Sequence, residues 1–248
     1  PVMVEPMTAA AARPATDALL TVRDLHGWYG ESHVLHGMSF DVRQGEVVTL
    51  VGRNGAGKTT TMLALMGMLS KRAGSVRFAG RETIGLPARQ IARAGIAIVP
   101  EERGIFASLS VEENLMLPPQ IRPGGLTREQ IFDLFPNLRE RLSSQGTKLS
   151  GGEQQMLAIA RVLRTGARLI LMDEPTEGLA PVIVQQIGRT IARLKEQGFT
   201  IVLVEQNFRF AASVADRHHV VEQGRVVDHI ANDELEQNLD KLHAYLGV

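Results

Sequence analysis

The chain has 248 residues, 44% of them hydrophobic, with 27 Lys and Arg against 27 Asp and Glu and no cysteine. That length and apolar content suffice for one large α/β domain with a full core. The missing cysteines exclude disulfides and thiolate metal sites, and the balanced charge argues against a field that gathers nucleic acid or anionic membrane.

Residues 1–18, rich in Ala and Pro, lack the basic start and apolar centre of a signal peptide and are expected to form a disordered tail. Residues 19–248 then read as a single domain. No run approaches the roughly 20 apolar residues that span a bilayer, so the chain is expected to be soluble by itself. LLTVRDL, VLHGMSFDV and VVTLVG, separated by turn residues, predict a hairpin-rich β layer leading into a buried strand. The glycine-rich run from Gly52 to Gly57 predicts a loop, and TTTMLALMGML a helix after it. SVRFAG reads as β, ARQIARAG as a helix and IAIVP as a buried strand ending at Pro100.

From about 101 to 163 the pattern becomes helical. Ser110 with Glu113, and Thr127 with Gln130, form capping-box patterns; Pro118-Pro119 stops the first helix, and IFDLFPNLRERL continues the second. LSGGEQQMLAIARVL is a further helix. Beyond it LILMDEP is a strand, PVIVQQIGRTIARLKEQG a helix ending at Gly198, and TIVLVEQN a strand. HHVVEQGRVVDHI is a hairpin turning at Gln223-Gly224, and DELEQNLDKLHAYL a closing helix. Strands alternating with helices predict a mostly parallel sheet.

Gly52-Arg53-Asn54-Gly55-Ala56-Gly57-Lys58-Thr59 fits the pattern of a phosphate-binding loop between strand and helix. Glycines let backbone N–H groups face phosphate oxygens. Lys58 would reach the β and γ phosphates, the Thr59 hydroxyl would hold Mg2+, and the helix start near Gly57 would favour the anion. The rival dinucleotide pattern starting at Gly55 fails because residue 60 is Thr60. Asp173, at the end of an apolar strand, is the candidate Mg2+ ligand, and Glu174 the base facing the attacking water. Ser150-Gly151-Gly152 at a helix start is either a second phosphate site or a plain N-cap and loop. His36, His218, His219 and His229 show no acidic cluster at metal-ligand spacing and read as surface or core residues.

GRNGAGKT, LSGGEQQ and LILMDEP, in this order, resemble the ATP-binding subunit of ABC transporters, where they are the Walker A, signature and Walker B motifs. The resemblance implies an α/β P-loop NTPase core with a mostly parallel sheet, an antiparallel β layer and a helical subdomain inserted at about 101–163. It implies ATP and Mg2+ as ligands, with Walker A running on through Thr60. Tyr29 in WYG matches the aromatic that stacks on adenine, with Trp28 as its neighbour and fallback. Two such subunits would sandwich ATP between Walker A of one and Ser150, Gly151, Gly152 and Glu153 of the other.

Three positions depart from the family pattern: Glu101 replaces a glutamine that contacts magnesium, Ala180 stands where many members have aspartate, and Gln206 replaces the switch histidine. Gln206 could donate to the γ phosphate but could not shuttle protons. VPE, SVEENL, EGLAP and VEQN resemble ATPases of branched-chain or hydrophobic amino acid importers, and nearly as well those importing urea or short-chain amides. The implied partners are an identical or related ATPase subunit, transmembrane permease subunits and, indirectly, a periplasmic solute-binding protein; no nucleic acid is expected. The implied place is the cytoplasmic face of the inner membrane, with Phe106–Leu117 and Arg164–Gly166 toward the permease. A non-transport ABC ATPase, and a regulatory module without turnover, are the rivals.

Overall fold

The computed structural model describes residues 18–246, so the tail expected over residues 1–18 lies almost wholly outside the described residues. β1 (Ala18–Tyr29) and β2 (Ser32–Arg43) form a long antiparallel hairpin. β3 (Val47–Val51) is buried throughout and leads through the glycine-rich loop into α1 (Lys58–Leu65). β4 (Lys71–Phe78) and β5 (Arg81–Glu82) complete a four-stranded layer in the order β2-β1-β4-β5. α2 (Ala88–Ala94) then precedes β6 (Ile96–Val99).

The helical insert comprises α3 (Val111–Met116), α4 (Arg128–Leu134), α5 (Pro136–Glu140) and α6 (Gly151–Leu163). Both expected capping boxes form, and Ser150 with Glu153 makes a third. IFDLFPNLRERL is two helices rather than one, because Pro136 lacks an N–H and disfavours helical backbone at the residue before it. Residues 101–109 are irregular, so the helices begin later than the insert's expected start.

β7 (Leu169–Asp173), α7 (Pro181–Glu196), β8 (Thr200–Glu205) and α8 (Phe208–Val214) return the chain to the main sheet. The hairpin of β9 (Arg217–Glu222) and β10 (Arg225–Ala231) follows. The expected closing helix starts late: Asn232–Asn238 is a 3₁₀ segment and only Leu239–Leu246 is α-helical, here α9.

The six-stranded sheet runs β10-β9-β3-β8-β7-β6, parallel except for the β9–β10 pair. Its central strands are apolar on both faces, as a sheet covered on both sides requires. The period-2 alternation shows which layer each side chain meets. Ile201 and Leu203 of β8 join a core with α6, α7 and the helical insert, whereas Val202 and Val204 join one with α1 and the antiparallel layer. β3, β8 and β7 are adjacent and parallel, so their carboxyl ends open onto one edge of the sheet, where ligands of such sheets bind.

Candidate active site

Three loops leave that edge. The loop after β3 needs glycine at set points: Gly55 and Gly57 have φ of 77° and 105°, and a Cβ on Gly52 would lie 2.2 Å from the Val221 carbonyl oxygen. Gly224, at the turn of the β9–β10 hairpin, donates its N–H to the Ala56 carbonyl (2.8 Å) and its own carbonyl accepts the His36 N–H (2.8 Å). The phosphate loop is thus clamped from below by the last hairpin. Gly52 and Ala56 serve this underside, while Asn54, Gly55, Gly57, Lys58, Thr59 and Thr60 line a cleft of about 330 Å3.

Val34, Glu101, Glu174, Glu177 and Gln206 complete that cleft. Lys58 is buried and donates Nζ–H to the Gly52 and Arg53 carbonyls at 2.8 and 3.1 Å, with Glu174 Oε1 4.0 Å away. Burial lowers its pKa, opposed by the charges of Glu174, Asp173 and Glu205. The Thr59 hydroxyl donates to Asp173 Oδ1 at 3.1 Å. Asp173 is 2% exposed; burial, with repulsion from Glu174 and Glu101 and against the Thr59 bond, pushes its carboxyl up to about 6.

Glu174 follows with a left-handed backbone (φ 46°), its N–H donating to the Val204 carbonyl at 3.0 Å. Gln206 Nε2 donates to Glu174 Oε2 at 2.6 Å, so the residue in the switch position holds the carboxylate of the candidate base. Burial raises the Glu174 pKa, while that bond and Lys58 oppose the rise. Glu101 is raised as well, by burial and then by Glu177 and Glu174. Carboxyls crowded this way, beside a hydroxyl, are a donor set for a hard cation. Among the described residues no three His, Asp or Glu side chains form a ready metal cage. Mg2+ uses one or two carboxylates together with substrate phosphates and water.

Ser150, Gly151, Gly152 and Glu153 do not line this cleft. They form the first turn of α6, where Ser150 and Glu153 bond each other and Glu153 pairs with Arg141 Nε at 3.4 Å. Trp28 is engaged: it stacks on His33 at 4.3 Å between ring centroids, and Lys71 Nζ sits 4.9 Å over it. Tyr29 is 48% exposed, leaving its ring open to stack on a base.

Motifs did not point to Glu205, a buried carboxylate that ends β8 just as Asp173 ends β7. Burial pushes it up to about 7, opposed by hydrogen bonds from Thr176 and Asn207. The signal was an acidic residue closing an otherwise apolar strand. The histidines also gather more than their spacing suggests: His26 Nδ1 lies 3.0 Å from His33 Nε2, and buried His219 packs edge-on against His229.

Residues 35–177 match the family described as ABC transporter. BraG of Pseudomonas aeruginosa, a high-affinity branched-chain amino acid transport ATP-binding protein, is 43% identical over 238 residues, 92% of this chain and 100% of that one. LptB of Escherichia coli K12, the ATP-binding protein of the lipopolysaccharide export system, is 36% identical over 236 residues, 93% of this chain and 98% of that one. Among solved structures, a dimeric ATP-binding cassette in a post-hydrolysis state with ADP and Pi matches with a TM-score of 0.74 and 25% identity, covering 86% of this chain and 98% of that one. This chain belongs to the ABC transporter family, as a subunit whose hydrolysis of ATP is coupled to transport.

Proposed function

We propose that the chain energises an importer of branched-chain or other hydrophobic amino acids, served by a solute-binding protein, with a second ATPase subunit completing each ATP site. The full-length likeness to BraG carries the solute assignment. The dimer is supported by the separation of the two anion-binding elements, since α6 begins away from the cleft that holds Lys58.

Lys58 and the N–H groups of Gly55–Thr60 would hold the phosphates, and Tyr29 the adenine. Thr59, Asp173 and Glu101 would hold Mg2+, which when bound offsets phosphate charge. Glu174 would take the proton of the attacking water, oriented by Gln206. Its raised pKa suits a base, because proton transfer is most efficient when the pKa lies near the working pH.

The likeness to LptB favours a second substrate class, a lipid leaving the membrane. Membrane vesicles carrying this chain with its permease subunits, and supplied with the solute-binding protein, decide between them. The expected result is ATP-dependent uptake of labelled leucine; uptake of a short amide without leucine would overturn the solute assignment. Absence of such uptake together with ATPase stimulation by lipopolysaccharide would overturn amino-acid import.

A further inference from the structure

β7 and β8 end side by side, and each runs into a loop carrying half of the Glu174–Gln206 pair. A third carboxylate ties the two loops together. Glu205, 3% exposed, accepts the Thr176 hydroxyl at 2.8 Å and the Thr176 N–H at 3.3 Å through Oε1, and the Asn207 N–H at 3.4 Å through Oε2. Thr176 lies two residues beyond Glu174, and Asn207 one beyond Gln206. Bonds to a single side chain therefore bracket the contact between base and amide.

A buried carboxylate costs stability compared with a neutral group making the same bonds, so packing alone does not account for one here. Among the described residues Glu205 makes no salt bridge, and Lys58, whose charge it influences, pairs with Glu174. Glu205 does not line the cleft, and its two oxygens are already engaged by Thr176 and Asn207. Glu174 also keeps a left-handed backbone, a conformation that persists only where the surroundings over-determine it. The Thr176 end of the tie is one such constraint, and the Glu174 N–H bond to Val204 is another.

We infer that Glu205 is a positioning residue for ATP hydrolysis: it staples the loop after β7 to the loop after β8 and so fixes Glu174 and Gln206 relative to the attacking water. This rests on Glu174 being the base. It also makes the segment from Thr176 to Ala180 part of the hydrolytic unit, so movement of that segment reaches the base through one side chain.

The test is steady-state ATPase kinetics of the full chain carrying Glu205→Gln, Glu205→Ala, Thr176→Val, Gln206→Ala and the Glu205→Ala/Gln206→Ala pair. Glu205→Gln keeps an acceptor for Thr176 but sets an amide N–H against that of Asn207, and kcat should fall about 10-fold; Glu205→Ala should lose about 100-fold, the cost of a displacement of about 1 Å. KM for ATP should stay within about 2-fold, because the group acts on the chemical step and not on nucleotide binding. In the Gln206→Ala background, Glu205→Ala should cost under about 3-fold more, the non-additivity expected of groups acting as a unit.

Wild-type kcat in Glu205→Ala overturns the staple. So do fully multiplicative effects in the pair, or a rise in KM that parallels the loss of kcat, since those mark a merely structural role. Should Glu205→Ala not fold, Thr176→Val opens the other end of the tie and is judged by the same criteria. Glu174→Gln, assayed alongside, separates the two claims. Full turnover there removes Glu174 as the base, while the Glu205–Gln206 cycle still decides whether the loops are coupled.

Discussion

Gly151 and Gly152 are neighbours with different reasons for being glycine. A Cβ on Gly152 would lie 2.9 Å from two carbons of Ile183 at the start of α7, whereas one on Gly151 meets only the mobile end of Arg103, 3.3 Å away. Gly152→Ala should therefore cost about 1–3 kcal/mol by overpacking, only partly offset by the better helix propensity of alanine. Gly151→Ala should leave the thermal midpoint within about 2 °C yet lower ATPase activity at least about 10-fold, if the first turn of α6 must approach a phosphate held by another subunit. Calorimetry and a phosphate-release assay check both, and equal losses of stability would refute the division. At this scale the gathering of Lys58, Thr59, Asp173 and Glu174 was legible because their motifs sit at fixed spacing at the carboxyl ends of parallel strands. Glu177, which lines the cleft, and Glu205, which bonds the loop after β7, were not, since their places depend on how the loops after β7 and β8 lie together, and an acidic end to an apolar strand hints at Glu205 alone.

Elements were legible where the chain carries its own punctuation. Ser110, Thr127 and Ser150 each start a helix with a reciprocal bond to the residue three positions on, a purely local signal. The division at Pro136 and the 3₁₀ segment at Asn232–Asn238 were missed because apolar periodicity runs across both. The expected permease-facing segment, Phe106–Leu117, is held by Asn114. Its Nδ2 donates to the carbonyls of Phe106, Leu109 and Ser110 at 2.9–3.2 Å while its Oδ1 accepts the Phe106 N–H at 2.8 Å. The same segment presents Phe106, Met116 and Leu117 half-exposed, at 49%, 52% and 49%. Exposed apolar side chains grouped on one segment mark a contact surface. Phe106→Ala should change stability by no more than about 0.5 kcal/mol and leave the basal ATPase intact, but reduce its stimulation by the permease. Unchanged stimulation in reconstituted vesicles would remove Phe106 from that contact.

Across the whole molecule two sets of titratable groups oppose each other. His218, His219 and His229 are all pushed below the ordinary 6.5, chiefly by burial. Between its folded and unfolded values such a histidine binds fewer protons folded than unfolded. Its contribution to stability is complete above 6.5 and falls as the pH drops below it. Asp173 and Glu205, raised to about 6 and about 7, work the other way: they destabilise the fold above those values and relax as the pH falls. His219→Leu should therefore gain stability relative to the unmodified chain on acidification from pH 7 to 5, by up to about 1.4 kcal/mol per pH unit for one group. Urea midpoints at several pH values measure this, and a constant difference between the two proteins would exclude it.

The position of β8 between β3 and β7 also has a consequence for synthesis. β3 ends at Val51, and the strand beside it begins at Thr200. At about 5–20 residues per second the ribosome needs about 8–30 s to bridge that interval. Until then a nascent chain has its phosphate loop but neither the Val204 carbonyl that receives the Glu174 N–H nor the Gln206 amide. With Glu174 as the base, a chain ending before β8 is expected to release no phosphate from ATP, which a phosphate-release assay on such a truncated product would measure.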